Sequence, residues 1–128
     1  MQNKVVLHFL GGKLAKGTTA DFFPNKDFFH LTEKDTGETR RISIPGLKAV
    51  FFVKDFEGNP NYRDEQDVER HGFGRKIKVQ FQDGETITGY TQGFSPARAG
   101  FVLFPSDPQS NNERIFIVNG ATENIDLL

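Results

Sequence analysis

Residues 5–31, VVLHFLGGKLAKGTTADFFPNKDFFHL, recur without a gap 72 positions later as residues 77–103, IKVQFQDGETITGYTQGFSPARAGFVL. Eight of the 27 aligned positions are identical: Phe9/Phe81, Gly12/Gly84, Gly17/Gly89, Thr19/Thr91, Phe22/Phe94, Pro24/Pro96, Phe29/Phe101 and Leu31/Leu103. Six of the eight are glycine, proline or phenylalanine, residues whose backbone freedom, fixed φ or bulk is hard to replace. A long internal period of this kind means that one supersecondary unit is present twice.

Each copy helps to interpret the other. Ile77, Val79 and Phe81 alternate with Lys78, Gln80 and Gln82, the signature of a strand with one buried face, and they mark Val5, Leu7 and Phe9 as the core face of the first copy. Gly-Gly at 11–12 and Asp-Gly at 83–84 supply the positive φ that a hairpin turn needs. A second strand follows around Leu14 to Asp21 and Ile87 to Phe94, interrupted by Gly17 and Gly89. A glycine there predicts a sharp bend, the device that curls a short sheet into a barrel.

Turns at PNKD and PARA lead to strands at 28–33 and 100–104, polar loops to strands at 40–44 and 114–118, and the last strands lie near 47–54 and 121–127. The predicted fold is all-β: two tandem five-stranded small barrels related by internal duplication, residues 1–56 and 76–128, joined by a polar linker over 57–75. Within the linker RDEQDVERH (63–71) suggests a short helix. A barrel of about 50 residues is marginal alone, so the two are expected to pack together. LKAVFFV (47–53), apolar on both strand faces, is the expected side of that contact.

The order of strand, glycine turn, bent strand, D…N…L turn and strand, polar loop and then I-x-I-P-G-L-K-A-V resembles the Sm-like small barrel and other Src-homology-type barrels. Asp21 and Asn25 stand where that resemblance implies an RNA-reading Asp and Asn, whereas the second copy has Gly93 and Ala97. LKAVFFVKDFEGN is similar to a segment of uncharacterised bacterial proteins, some of which accompany PilZ, or cyclic di-GMP, domains. Ser43 and Gly46 keep the PilZ spacing, but Arg41 replaces its Asp or Asn and the arginine pair 40–41 is adjacent, which points away from cyclic di-GMP binding by that route.

Bulk properties narrow the function classes. Net charge is −1 over 128 residues, with 16 basic and 17 acidic side chains spread along the chain, so no global field gathers nucleic acid or an acidic membrane. Fourteen phenylalanines against two tyrosines and no tryptophan suit burial better than wet recognition. The absence of cysteine removes disulfides, thiolate metal sites and a cysteine nucleophile. With no leader pattern at the start and no run approaching the roughly 20 apolar residues of a membrane span, a soluble cytoplasmic protein with no membrane contact is expected.

No constellation points to an enzyme, a metal or a cofactor. His8, His30 and His71 are isolated; Ser43, Ser95, Ser106 and Ser110 lie in no nucleophile motif; Asp64, Glu65, Asp67 and Glu69 read as solvated linker charge. GGK (11–13) and HGFGRK (71–76) complete no phosphate loop, which leaves Arg75 and Lys76 as a minor anion-binding option. One cationic position recurs, Lys26 and Arg98 in the matched turns, while Arg40, Arg41 and Arg114 precede matching strands. Phe23 and Phe28 have no aromatic counterparts, since Ser95 and Gly100 replace them. The expected function is a non-enzymatic binding or regulatory module that contacts a protein partner through a barrel edge or loops. The alternative is nucleic-acid or cyclic-dinucleotide binding, and Phe23, Lys26, Phe28, Arg40, Arg41 and Arg98 are the residues for either.

Overall fold

In the computed structural model, which describes residues 2–59, 61–94 and 97–128, the chain forms ten strands. They are β1 (Asn3–Phe9), β2 (Leu14–Thr19), β3 (Phe28–Glu33), β4 (Thr39–Ser43), β5 (Leu47–Val53), β6 (Arg75–Phe81), β7 (Thr86–Thr91), β8 (Gly100–Pro105), β9 (Asn112–Val118) and β10 (Thr122–Leu127). Single 3-10 turns, Ile44–Gly46 and Asn119–Ala121, join β4 to β5 and β9 to β10. All strand pairs are antiparallel, and together they make one open sheet in the order β10-β6-β7-β8-β9-β5-β1-β2-β3-β4.

The pairing registers repeat. Val5 faces Gly17 as Ile77 faces Gly89; Phe29 faces Ile42 as Phe101 faces Ile117; Leu7 faces Val50 as Val79 faces Ile125, with a bulge at Lys48 in one pair and at Glu123 in the other. The offset is 72 for the first three strands of each half and 75 for the last two, because the connection from Leu103 to Ile117 is three residues longer than its match from Leu31 to Ile42. Matching carries down to single hydrogen bonds: Leu10 N–H donates to Gly46 O at 3.1 Å, and Gln82 N–H to Ala121 O at 2.9 Å.

The strand glycines act at the bend. A Cβ on Gly17 would lie 2.1 Å from the Thr32 carbonyl oxygen, and one on Gly89 would lie 2.4 Å from that of Phe104, so β2 and β3, like β7 and β8, approach at a distance only glycine allows. Gly12 and Gly84 adopt φ of 99° and 93° in the hairpin turns, as the sequence requires.

Two clusters make up the core. Val5, Leu7, Phe29, Leu31 and Ile42 gather in one, and Ile77, Val79, Phe81, Phe101 and Leu103 in the other. The central strands cross-feed them. Val50 and Phe52 of β5 enter the first cluster while Ala49, Phe51 and Val53 enter the second; Phe116 and Val118 of β9 enter the first while Ile115 and Ile117 enter the second. This is why LKAVFFV is apolar at both parities: each face of β5 covers a different core. A fully buried side chain of this size stabilises by about 1.5–3 kcal/mol, so the β5–β9 seam holds each half to the other.

Residues 57–74 contain no helix among the described residues, contrary to the short helix expected over 63–71. The segment is instead tied to the second half. Tyr62 OH and Glu65 N–H both donate to the Asp107 carboxylate, Arg70 Nη1 donates to Pro105 O at 3.0 Å, and Gln92 Nε2 donates to Gly72 O at 3.1 Å. Those external partners compete with the internal bonds a short, exposed helix would need.

Candidate binding cleft between the matched turns

The β2–β3 turn (20–27) and the described residues of the β7–β8 turn (92–94 and 97–99) occupy equivalent places. Each is tied to the 3-10 turn of its own half, Ile44 N–H to Asp27 O at 2.8 Å and Asn119 N–H to Ala99 O at 2.9 Å. Between them lies a cleft of about 860 Å3 whose walls include Pro24, Asn25 and Asp27 from one turn and Arg98 from the other, with Phe104 and Arg114 contributed by β8 and β9. Two guanidinium groups, one carboxylate and an aromatic edge therefore share one concavity.

Four phenylalanines around the first turn have separate jobs. Phe29 is fully buried. Phe22 packs edge-on against Phe29, Phe52 and Phe116 at centroid distances of 5.2, 5.3 and 5.0 Å, so it joins the two halves as well as anchoring its own turn. Phe23 is 49% exposed with Lys26 Nζ 5.1 Å above its ring. Phe28 lies beneath the Arg41 guanidinium at 3.9 Å and edge-on to His30 at 5.9 Å, on its own half. At this turn the contact between halves is carried by Phe22.

Arg98 lines the cleft, but Arg40 and Arg41 are placed elsewhere. Both lie on the outer strand β4; Arg40 Nε pairs with Glu33 at 2.5 Å and Arg41 stacks on Phe28. The six sequence candidates thus divide into a turn group, Phe23, Lys26 and Arg98, and an edge group, Phe28, Arg40 and Arg41. Arg75 and Lys76 open β6 opposite Thr91 and Tyr90. Ser95, with Pro96, lies outside the described residues. Ser106 and Ser110 are buried and bond to backbone, Ser106 Oγ to Thr88 O at 3.4 Å and Asn112 N–H to Ser110 Oγ at 3.1 Å. Among the described residues no group of three or more His, Asp or Glu side chains is placed to hold a metal.

Asp21 braces the first turn. Its carboxylate accepts the His30 ring nitrogen at 2.7 Å and the His30 backbone N–H at 2.9 Å, and the hydrogen bond from the His30 side chain, then that from its backbone, hold its pKa below the ordinary carboxylate value. Both carboxylate oxygens are engaged within the turn.

A polar cluster at the other end of the seam has no place in the sequence reading. Lys48, 8% exposed at the second position of β5, reaches Asp83 at 2.7 Å and Glu85 on the β6–β7 hairpin of the opposite half, with its ammonium 4.6 Å above the Phe81 ring. Burial pulls the Lys48 pKa down, but hydrogen bonds to Asp83 and Glu85 outweigh it and the pKa is raised. Asp83 is correspondingly lowered, first by its hydrogen bond from Lys48. His8 stacks on Phe51 at 4.2 Å and is half-buried rather than a surface histidine; burial, aided by Lys48, lowers its pKa. The lysine inside an otherwise apolar run was the available signal.

The fold and cleft define an all-β protein, one open antiparallel sheet whose two halves share registers and whose matched turns face each other. The model of DUF6982, a family of unknown function, matches residues 1–128, and the chain belongs to that family. No curated protein and no solved structure matches it. No helix among the described residues is long and apolar enough to cross a membrane.

Proposed function

We propose that the chain is a non-enzymatic binding module, built as two Sm-like five-stranded barrels from an internal duplication, that takes an extended protein segment in the cleft between its two matched turns. Support for the barrel reading comes from the 5-1-2-3-4 strand order in each half, the glycine bend in its second strand and the 3-10 turn before its last strand. The observation that carries the binding reading is the cleft itself, about 860 Å3 with Arg98 and Arg114 beside Phe104 and a single carboxylate, Asp27. Apolar floor and paired cations suit a segment with an acidic residue next to an apolar one.

Selection from a random-peptide display library, followed by an NMR titration of the enriched peptide, tests it. Enriched peptides should combine an acidic and a large apolar residue, should shift the amides of 25–27 and 92–94, and should lose binding in Arg98→Glu. Failure to enrich any peptide, or shifts confined to other parts of the sheet, overturns the reading. The nucleotide alternative is favoured by one observation, the cation and aromatic of Lys26 and Phe23 on a single exposed turn, the pair on which a base stacks. A salt-sensitive shift of labelled RNA or cyclic di-GMP that Lys26→Ala abolishes would select it.

A further inference from the structure

We propose that the chain associates with copies of itself head to tail, the outer edge of β10 pairing with the outer edge of β4 of the next copy in the register that β5 and β9 use inside the chain. The inference rests on the matched registers and is independent of the cleft. Within the chain, the last strand of the first half pairs with the fourth strand of the second, Ala49 facing Ile117, Val50 facing Phe116, Phe51 facing Ile115 and Phe52 facing Arg114. Moving this seam forward by one half sets β10 of one copy against β4 of another. Both strands are paired on one side only, β10 with β6 and β4 with β3. Asn124 would then face Ile42, Ile125 face Arg41, Asp126 face Arg40 and Leu127 face Thr39.

Three features of the unpaired edges fit that neighbour. First, the charges are complementary: β10 carries Glu123 and Asp126, β4 carries Arg40 and Arg41, and the transposed register brings Asp126 opposite Arg40. Second, the Lys48–Glu85 ion pair, which crosses the seam from the β5 bulge to the β6–β7 hairpin, has a counterpart. Lys48 corresponds to Glu123, the bulge of β10, and Glu85 corresponds to Lys13 in the β1–β2 hairpin. The pair is kept with its signs exchanged.

Third, two exposed apolar side chains are ones whose counterparts the seam covers. Phe22 packs against Phe116 of β9 and Phe52 lies beneath the Arg114 guanidinium of β9; their counterparts are Phe94, 44% exposed, and Leu127, 60% exposed. Phe94 keeps the edge-on contact with Phe101, at 5.1 Å, that Phe22 makes with Phe29, and lacks only a covering strand. The residue that corresponds to Phe116 is Arg41, a guanidinium able to lie on the Phe94 ring. An exposed sheet edge is otherwise blunted by charge, proline or a bulge, and here the charges of each edge instead complement those of the other. Because the two surfaces differ, the contact is heterologous, closing into a ring or continuing as a filament.

Engineered cysteines test this on the full chain, which has none of its own. Facing residues of an antiparallel pair lie about 4.5–5.5 Å apart between Cα atoms, within reach of a disulfide. Mixed under mild oxidation, Arg40→Cys and Asp126→Cys chains should form a disulfide-linked heterodimer, with neither forming a homodimer at comparable yield. Homodimers of either variant at that yield, or no heterodimer, overturn the proposal. In parallel, native mass spectrometry and light scattering should find wild-type assemblies at multiples of 14.4 kDa. Glu123→Lys should weaken the assembly by about tenfold or more, because it sets like charges against each other, and Lys13→Glu in the same chain should restore it. Both positions are exposed, so circular dichroism should show each variant folded. A wild-type monomer at all concentrations and low salt, or an assembly indifferent to Glu123→Lys, overturns the proposal.

Discussion

Strands β5 and β10 close their respective halves in the same register, yet every residue of LKAVFFV in β5 is buried while TENIDL in β10 is exposed at four of its six positions. Each pairs on one side with the first strand of its half. They differ on the other side, where β5 meets β9 and β10 meets nothing in the chain. The same contrast separates β9, with Ile115 to Val118 buried, from β4, where only Ile42 is. One structural position has therefore been filled with apolar residues where a permanent seam forms and with charged ones where the edge is open. Backbone register repeats between the halves, while the side chains follow the environment of each half.

The largest effect expected from this contrast is at Phe116 and its counterpart. Phe116 is 1% exposed and belongs to the second half, yet it packs in the first half's core. Phe116→Ala should cost about 3–5 kcal/mol, and Arg41→Ala, on the open edge, should stay within about 0.5 kcal/mol in the monomer. Urea denaturation measures both. Because Phe116 is a second-half residue seated in the first half's core, its loss should also change the slope or split the transition, whereas two equal effects would mean that the halves do not share the seam as described.

Next in size is Lys48. Lys48→Ala removes buried methylene packing and leaves Asp83 and Glu85 without their cation; since both carboxylates are about half exposed, the cost should be about 1–2 kcal/mol, below that of a fully buried pair. Its pH signature has a definite sign. Asp83 is held below its ordinary 3.8 by Lys48, so its contribution is complete above that value and is lost as pH falls through the lowered pKa. The Lys48 pKa is raised above 10.5, so its own contribution is complete below 10.5 and fades as pH rises through the raised value. Thermal midpoints across the pH range should therefore drop less at both extremes in Lys48→Ala than in wild type, and parallel curves would sink the assignment.

Much of this was legible in the sequence, for identifiable reasons. Gly17 and Gly89 mark backbone approaches that exclude any side chain, Gly12 and Gly84 mark positive φ, and clean alternation at 77–82 marks a half-buried strand, so ten strands and one side of the seam, LKAVFFV, could be placed from residue type alone. The cleft was half visible: Lys26 and Arg98 share a turn position, but that the two turns face each other depends on how β5 meets β9, which no local pattern encodes. Arg40 and Arg41 group with the turn cations in the sequence because they precede matching strands, and pairing with β3 instead sends them to the sheet edge. Lys48 was hidden by its apolar neighbours, and Asp107 because its partner Tyr62 is 45 residues away.

The smallest expected effect lies in the segment between the halves, which has no counterpart within either and so tests the comparison from outside it. Tyr62 donates its hydroxyl hydrogen to Asp107, and that bond raises the phenol pKa from 10.0 to about 12 while holding Asp107 below its ordinary value. A raised phenol pKa means a contribution that is complete below 10.0 and disappears as pH rises through about 12. Tyr62→Phe should accordingly abolish a phenolate absorbance step near pH 12, return the Asp107 carboxylate upward toward 3.8 by NMR, and speed hydrogen exchange at Glu65, whose N–H shares the same carboxylate. The seam should be untouched, because neither core cluster contains Tyr62 and the segment opens locally. If Tyr62→Phe instead lowered protection throughout β5 and β9, the segment would be part of what holds the halves together, and the seam would not be the self-sufficient joint that its burial implies.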